Sequence, residues 1–178
     1  MANPLVSEAN LCAEREPTML DTHQQGFAKL VTMIEALDVG MLTTEDKNGH
    51  LRSRPMATQR VEDGVLWFFS AKDTPKILEV QKDSEVNVSY ADPNNDVYIS
   101  VSGVAHVFQD PAKVRELWSN ASQRWFPGGP DDPSIMILKV KIIQAEYWDV
   151  DKRAMIKLSE RGASAEDFIS ATDHKKLA

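Results

Sequence analysis

Residues 51–77 read Leu51-Arg52-Ser53-Arg54-Pro55-Met56-Ala57-Thr58-Gln59-Arg60-Val61-Glu62-Asp63-Gly64-Val65-Leu66-Trp67-Phe68-Phe69-Ser70-Ala71-Lys72-Asp73-Thr74-Pro75-Lys76-Ile77. Asp63-Gly64 is a favoured two-residue hairpin turn, so Leu51–Arg60 and Val65–Ser70 form one β-hairpin. Thr74 suits an N-cap and Pro75 the first helical position, so a helix follows over Pro75–Lys82. A second hairpin signal, Asn48-Gly49, lies upstream, joining Leu51–Arg60 to a short apolar strand over Gly40–Thr44.

Outward from this segment the pattern stays β-rich. Phe27, Leu30, Val31, Ile34 and Leu37 mark an amphipathic helix, with Asp21 or Thr22 as its cap and Gly40 just past its end. Val86–Ala91 is a strand closed by the turn Asp92-Pro93-Asn94-Asn95. Val97–Gln109 is a long strand that Gly103 should bend or bulge. A helix is expected from Pro111 to about Arg124, with Val114, Leu117, Trp118 and Ala121 on one stripe. The Gly/Pro-rich loop 125–133 leads to a β-branched strand, Ile135–Trp148. Strands do not alternate strictly with long helices, which excludes a doubly wound sheet. The expected fold is mainly β with peripheral helices, a small six-stranded antiparallel barrel. Residues 1–20 are expected to be a flexible segment and 21–149 the barrel domain. Residues 150–178 are expected to be a polar extension, read as a surface helix.

The 178 residues carry a net charge of −7, with 42% hydrophobic and 26% charged residues. An acidic soluble composition argues against nucleic acid and membranes as partners. The single cysteine, Cys12, excludes an internal disulfide, and the four histidines lack metal-ligand spacing. The N-terminus has neither a basic start nor an apolar core segment, so a cytoplasmic location is expected.

The mean charge hides a local reversal. Between Lys47 and Lys82 stand seven basic and four acidic residues. Within that stretch, the start of the Pro75 helix offers backbone donors. Position N3 is Ile77, which completes no capping box, and Lys76 adds a cation; this makes a phosphate site. On an extended strand Arg52, Arg54, Met56, Thr58 and Arg60 share one face. Arginine forks suit phosphate or a carbonyl-rich heterocycle edge, and methionine packs on a flat ring. Each feature alone also fits an ordinary capped helix or a solvated edge strand; together they describe one pocket with an anion clamp and an apolar wall. Trp67, Phe68 and Phe69 read as core. Trp118, Trp125, Phe126, Tyr147 and Trp148 read as core, interface or ring-stacking surface. His50 and His106 read as structural or exposed. No catalytic triad, carboxylate pair or Gly-rich phosphate loop is present.

These residues resemble a known family. Arg52-Ser53-Arg54-Pro55-Met56, Leu66-Trp67-Phe68-Phe69-Ser70 and Lys76 are similar to the split-barrel superfamily related to pyridoxamine 5′-phosphate oxidase. Val86–Ala91, Ser100–Ala105, Leu117-Trp118, the loop Trp125–Gly129 with Asp132-Pro133, and Ala145–Asp149 extend the likeness to its bacterial general-stress-protein branch. The resemblance covers roughly Asp21 to Asp149. It implies a homodimer of six-stranded split barrels with FMN at the subunit interface, FAD or deazaflavin being the alternatives. By position, Arg54, Pro55 and Met56 should lie along the ring and ribityl chain. Phe69 and Ser70 should offer backbone and hydroxyl contacts, Thr74 and Lys76 should hold the phosphate, and Trp118 and Trp125 should come from the partner subunit. The Arg-x-His substrate clamp of the vitamin B6 oxidases is missing; the chain runs Asp149-Val150-Asp151-Lys152-Arg153 instead. The implied function is a flavin-dependent oxidoreductase of unknown substrate, or a non-catalytic flavin-binding or sensing stress protein; a barrel without a cofactor is a third reading.

Overall fold

A computed structural model of the chain describes residues 19–159 and 169–170; most of the expected flexible segment 1–20 lies outside the described residues. Apolar residues at helical spacing form α1 (Met19–Glu35), which buries Leu30 and Ile34 completely. The helix already contains Asp21 and Thr22, so neither caps it. Nor does Gly40 end it. The chain turns at Asp38 (φ 54°), and Gly40 lies within β1 (Val39–Glu45). There a Cβ would stand 2.7 Å from the Tyr90 ring, so glycine serves a close approach between strands.

The opening hairpins form as read. Strand β2 (Leu51–Glu62) meets β1 through a turn in which Gly49 takes φ 84°, and β3 (Val65–Ala71) through Asp63 (φ 51°) and Gly64 (φ 72°). Helix α2 (Pro75–Lys82) follows, then β4 (Glu85–Asp92) and β5 (Val97–Phe108). Helix α3 (Pro111–Leu117) is shorter than its periodicity suggests. The backbone leaves helical geometry at Trp118 (ψ 134°), and the Ser122 hydroxyl takes up the Ser119 N–H. A short 3-10 turn, Ser122–Arg124, is all that follows, and Ala121 is exposed rather than on a buried stripe.

Strand β6 (Ile135–Asp149) closes the structure. The sheet order β3-β2-β1-β4-β5-β6, with β3 also paired to β6, is a closed six-stranded antiparallel barrel. The β5–β6 register shifts beside Gly103, whose missing side chain admits the Lys141 carbonyl and the Val140 methyl. Phe68, Leu42, Leu66, Val88, Val101 and Val140 fill the interior.

The surface helix read into 150–178 is corrected over the described part of that range. Residues Ala154–Ser159 form strand β7, antiparallel to β6, and Ile169–Ser170 form β8 beside it. The free edge of β6 at 144–149 offers backbone donors and acceptors that a returning strand satisfies and a helix does not. Leu158 on β7 enters the barrel core, so this extension also packs inward. Asp149, buried at the turn, accepts from Lys29 Nζ at 2.9 Å and from the Lys152 N–H at 3.0 Å, tying α1 to the end of β6.

Candidate functional site

The barrel wall opens between β2 and β3. Their ladder runs from Glu62↔Val65 to Thr58↔Phe68 and stops. Beyond it Pro55, Met56 and Ala57 pair with β1, while Phe69, Ser70 and Ala71 pair with β6. Two strand edges therefore face apart, each with main-chain groups outside any ladder on that side. Helix α2 begins four residues after Ala71, at one end of the opening.

The start of α2 has the expected boundary but a different hydroxyl arrangement. Thr74 is the N-cap (φ −98°, ψ 143°), yet its side chain caps no helical N–H. Its hydroxyl donates to the Ala71 carbonyl at 2.8 Å and meets the buried Ser70 hydroxyl at 3.0 Å. Pro75 has no N–H, and Ile77 N–H bonds the Thr74 carbonyl at 3.0 Å. The first-turn N–H without such a bond among the described residues is that of Lys76. Burial holds the Lys76 pKa below its usual value, the Arg54 guanidinium lowers it further, and Glu79 opposes both. Arg54 and Lys76, taken from two separate motifs, are thus brought within electrostatic reach of each other.

Arg54 is held in a closed triangle. Its guanidinium donates to the Thr44 hydroxyl at 2.5 Å and to Glu79 Oε2 at 2.7 Å, and Thr44 donates to the same carboxylate oxygen at 2.6 Å. The side chains of Arg54 and Glu79 are 21% and 11% exposed, so this ion pair is screened less than a surface one. Two cations and one carboxylate leave one net positive charge beside the first turn of α2.

Three expectations are corrected. The shared face of residues 52–60 breaks at Gln59, an extra residue in the β2–β3 register. Arg60 therefore turns to Glu116 at 2.7 Å, on the outside. Met56 points into the barrel interior, 5% exposed, and is no wall for a surface ring. The Thr74 hydroxyl, expected to cap α2, instead donates to the Ala71 carbonyl and faces the Ser70 hydroxyl. Pro55 is exposed on the outer face of β2.

The aromatics divide. Phe69 is buried on the barrel's outer side, stacked with Trp118 (centroids 6.0 Å, 27°) and edge-on to Phe126 (6.1 Å, 85°). Trp67 is partly buried under the Lys113 ammonium. Trp125 is 58% exposed with the Arg124 guanidinium over its ring. Trp118 therefore lies near Phe69 of its own chain, and Trp125 projects outward.

Sequence reasoning missed Thr44, Glu79 and the bond from buried Ser122 to Gln59 Oε1 (2.7 Å), which docks the loop after α3 onto β2. Glu79 carried one signal, its place three residues after Lys76 on the helix. Thr44 carried none, because only the strand register brings it to Arg54. Among the described residues there is no group of three or more metal-ligating side chains, and no helix is long and apolar enough to cross a membrane.

A family model described as pyridoxamine 5′-phosphate oxidase like matches residues 25–166. The chain belongs to the pyridoxamine 5′-phosphate oxidase-like family. A fungal relative, protein bli-3 of Neurospora crassa, is 30% identical over 155 residues, covering 79% of this chain and 74% of its own. A Clostridium acetobutylicum protein related to general stress protein 26 shares the fold (TM-score 0.68, 18% identity, 78% of this chain and 96% of that one). The general stress FMN/FAD binding protein of Xanthomonas citri is 28% identical (TM-score 0.59, 67% of this chain and 85% of that one). The pyridoxamine 5′-phosphate oxidase-like match spans α1 to beyond β7, so it includes both lips of the opening and the start of α2. The likeness read from the motifs, to this family and its general-stress members, is borne out.

Proposed function

We propose that this protein is a general-stress-type flavoprotein that binds FMN at the opening between β2 and β3. The observation that carries the reading is the net positive cluster of Arg54, Lys76 and Glu79 at an uncapped helix start, beside two strand edges that leave the ladder together. The residues fit the group in part. Lys76, its N–H and the α2 dipole suit a phosphate. The main chain at Pro55–Ala57 and Phe69–Ala71 suits the polar edge of a flat heterocycle. Met56 does not fit, being committed to the core. Arg54 adds its charge, with two of its five N–H donors held by Thr44 and Glu79. When bound, a flavin supplies hydride or electron transfer at its N5; the chain's residues bind the phosphate, orient the ring and shield it from water.

We infer also that the protein works as a homodimer. Val39, Met41, Tyr98 and Ile143 are exposed on the outer faces of β1, β5 and β6. Small polar residues, Ser53, Ser89 and Ser100, lie between them on a face that a second copy would cover. Trp125 extends outward and is available to a partner's site.

Vitamin B6 oxidation is disfavoured, because Asp149–Arg153 are used as the turn that anchors α1 and starts β7. That same use favours a second reading, a flavin-binding or sensing role without turnover. The purified protein is expected to be yellow, to release FMN identified by mass, and to elute as a dimer. A colourless preparation that takes up no added FMN overturns the reading. Anaerobic mixing with NADH or NADPH separates the two roles: rapid bleaching of the flavin supports the oxidoreductase, and an unreduced flavin supports the binding role.

A further inference from the structure

A groove of about 440 Å³ lies across the outer face of β1, β4 and β5 among Glu45, Asp83 and Glu85, but another, of about 430 Å³, has the stronger chemistry. It runs between the β1–β2 turn and one face of α2, lined by the cations Lys47, Arg52 and Lys82, the carboxylates Asp46 and Glu79, and the apolar Pro75 and Leu78, a net positive lining. That volume lies within the range of small-molecule sites. Three cations converge there, Lys47 from the β1–β2 turn, Arg52 from β2 and Lys82 from α2. Among the described residues no ion pair holds Lys47 or Lys82, and Arg52 reaches Asp46 only at 3.9 Å. Leu78 is 70% exposed and, with Pro75, forms an apolar floor at i, i+3 spacing. The Asp46 carboxylate already accepts two backbone N–H groups, from Asn48 and His50, which hold it in place at the rim with acceptor capacity to spare.

We infer that this groove binds an adenosine 5′-phosphate group. The cations suit its phosphate, the Leu78–Pro75 floor suits a flat purine, and the fixed Asp46 suits a ribose hydroxyl or an exocyclic amine. Position adds a second argument, which rests on the flavin reading. Pro75 lines the groove and immediately precedes Lys76, so the groove lies next to where the flavin phosphate is proposed to sit. An adenylate there has two sources: the second half of FAD, or the nucleotide end of a nicotinamide dinucleotide donor.

The test is titration of the full chain with 5′-AMP, FMN, FAD and NADPH, for the wild type, Arg52→Ala/Lys82→Ala and Leu78→Asp. All three altered residues are exposed, and thermal unfolding checks that each variant folds. The expected result is that 5′-AMP binds the wild type and loses about tenfold or more in both variants, the double variant by removal of charge-assisted contacts and Leu78→Asp by a like charge placed in the apolar floor, while FMN loses less than 5′-AMP in each variant. If FAD binds more tightly than FMN and that margin disappears in the variants, the adenylate belongs to the cofactor. If FAD shows no margin and NADPH competes with 5′-AMP, it belongs to the donor. Absence of 5′-AMP binding to the wild type, or equal binding by all three proteins, overturns the inference. FMN binding in those same samples keeps the flavin reading separate, and its failure there overturns only that reading.

Discussion

Removing Glu79 tests how the site holds its charge. In Glu79→Ala, two charge-assisted hydrogen bonds end, one from Arg54 Nη2 at 2.7 Å and one from Thr44 Oγ1 at 2.6 Å. A hydrogen bond to a charged group contributes about 1.5–3 kcal/mol. Both bonds share one carboxylate oxygen and the pair is partly open to water, so the loss should be about 2 kcal/mol. A chain of this size changes its Tm by about 2–4 °C per kcal/mol, which gives a fall of about 4–8 °C. The charge beside α2 rises at the same time from one net positive to two, with Arg54 and Lys76 unopposed. A phosphate should then be held more tightly, and the FMN preference over riboflavin should grow about three- to tenfold. Glu79→Gln keeps an acceptor for both donors, so it should lose less stability and show the same gain in preference. The assays are thermal unfolding of the flavin-free protein and parallel FMN and riboflavin titrations. A Tm within a degree of wild type, or an unchanged preference in both variants, refutes the reasoning.

Lys76→Ala should weaken FMN by about 1–3 kcal/mol while leaving riboflavin unchanged, measured by flavin fluorescence quenching; equal losses for both would place the phosphate elsewhere. The Lys29 ammonium, and after it the Lys152 N–H, hold the Asp149 carboxyl below its usual range. Its contribution to stability is therefore present above about pH 4, the unfolded value, and fades as pH falls through the lower folded value. Asp149→Asn should flatten the acid limb of a plot of urea midpoint against pH between 7 and 3; an unchanged limb contradicts the assignment. At Gly103 an added methyl would run into the Lys141 carbonyl, which is backbone and cannot swing aside. Gly103→Ala should cost about 3 kcal/mol in denaturant unfolding, and a loss under about 1 kcal/mol would mean the bulge relaxes freely.

Several elements were legible because their causes are local. Asp63-Gly64 set its hairpin since both residues accept positive φ, and Thr74-Pro75 set the boundary of α2 since proline needs no partner for its nitrogen. The Lys76 end of the site could be read for the same reason. Other elements depended on partners remote in sequence. Periodicity could not end α3 at Leu117, because the break follows from Trp118 packing on Phe69 and from the Ser119–Ser122 hydroxyls. The polar stretch after Asp149 carries weak strand preference, and it became β7 because β6 offered an edge to pair.

The sequence by itself determined a β-rich barrel of the pyridoxamine 5′-phosphate oxidase-like family, its turns, and the two cations of its candidate anion site. Hydrophobic period, turn chemistry and helix-start chemistry act over a few residues, and all were written in order along the chain. Only the tertiary structure decided that Gln59 is an extra residue turning Arg60 outward, that Met56 belongs to the core, and that Glu79 and Thr44 hold Arg54. Those outcomes depend on strand register and on how α2 lies across the barrel end, and a shift of one residue in register reverses which face a side chain occupies.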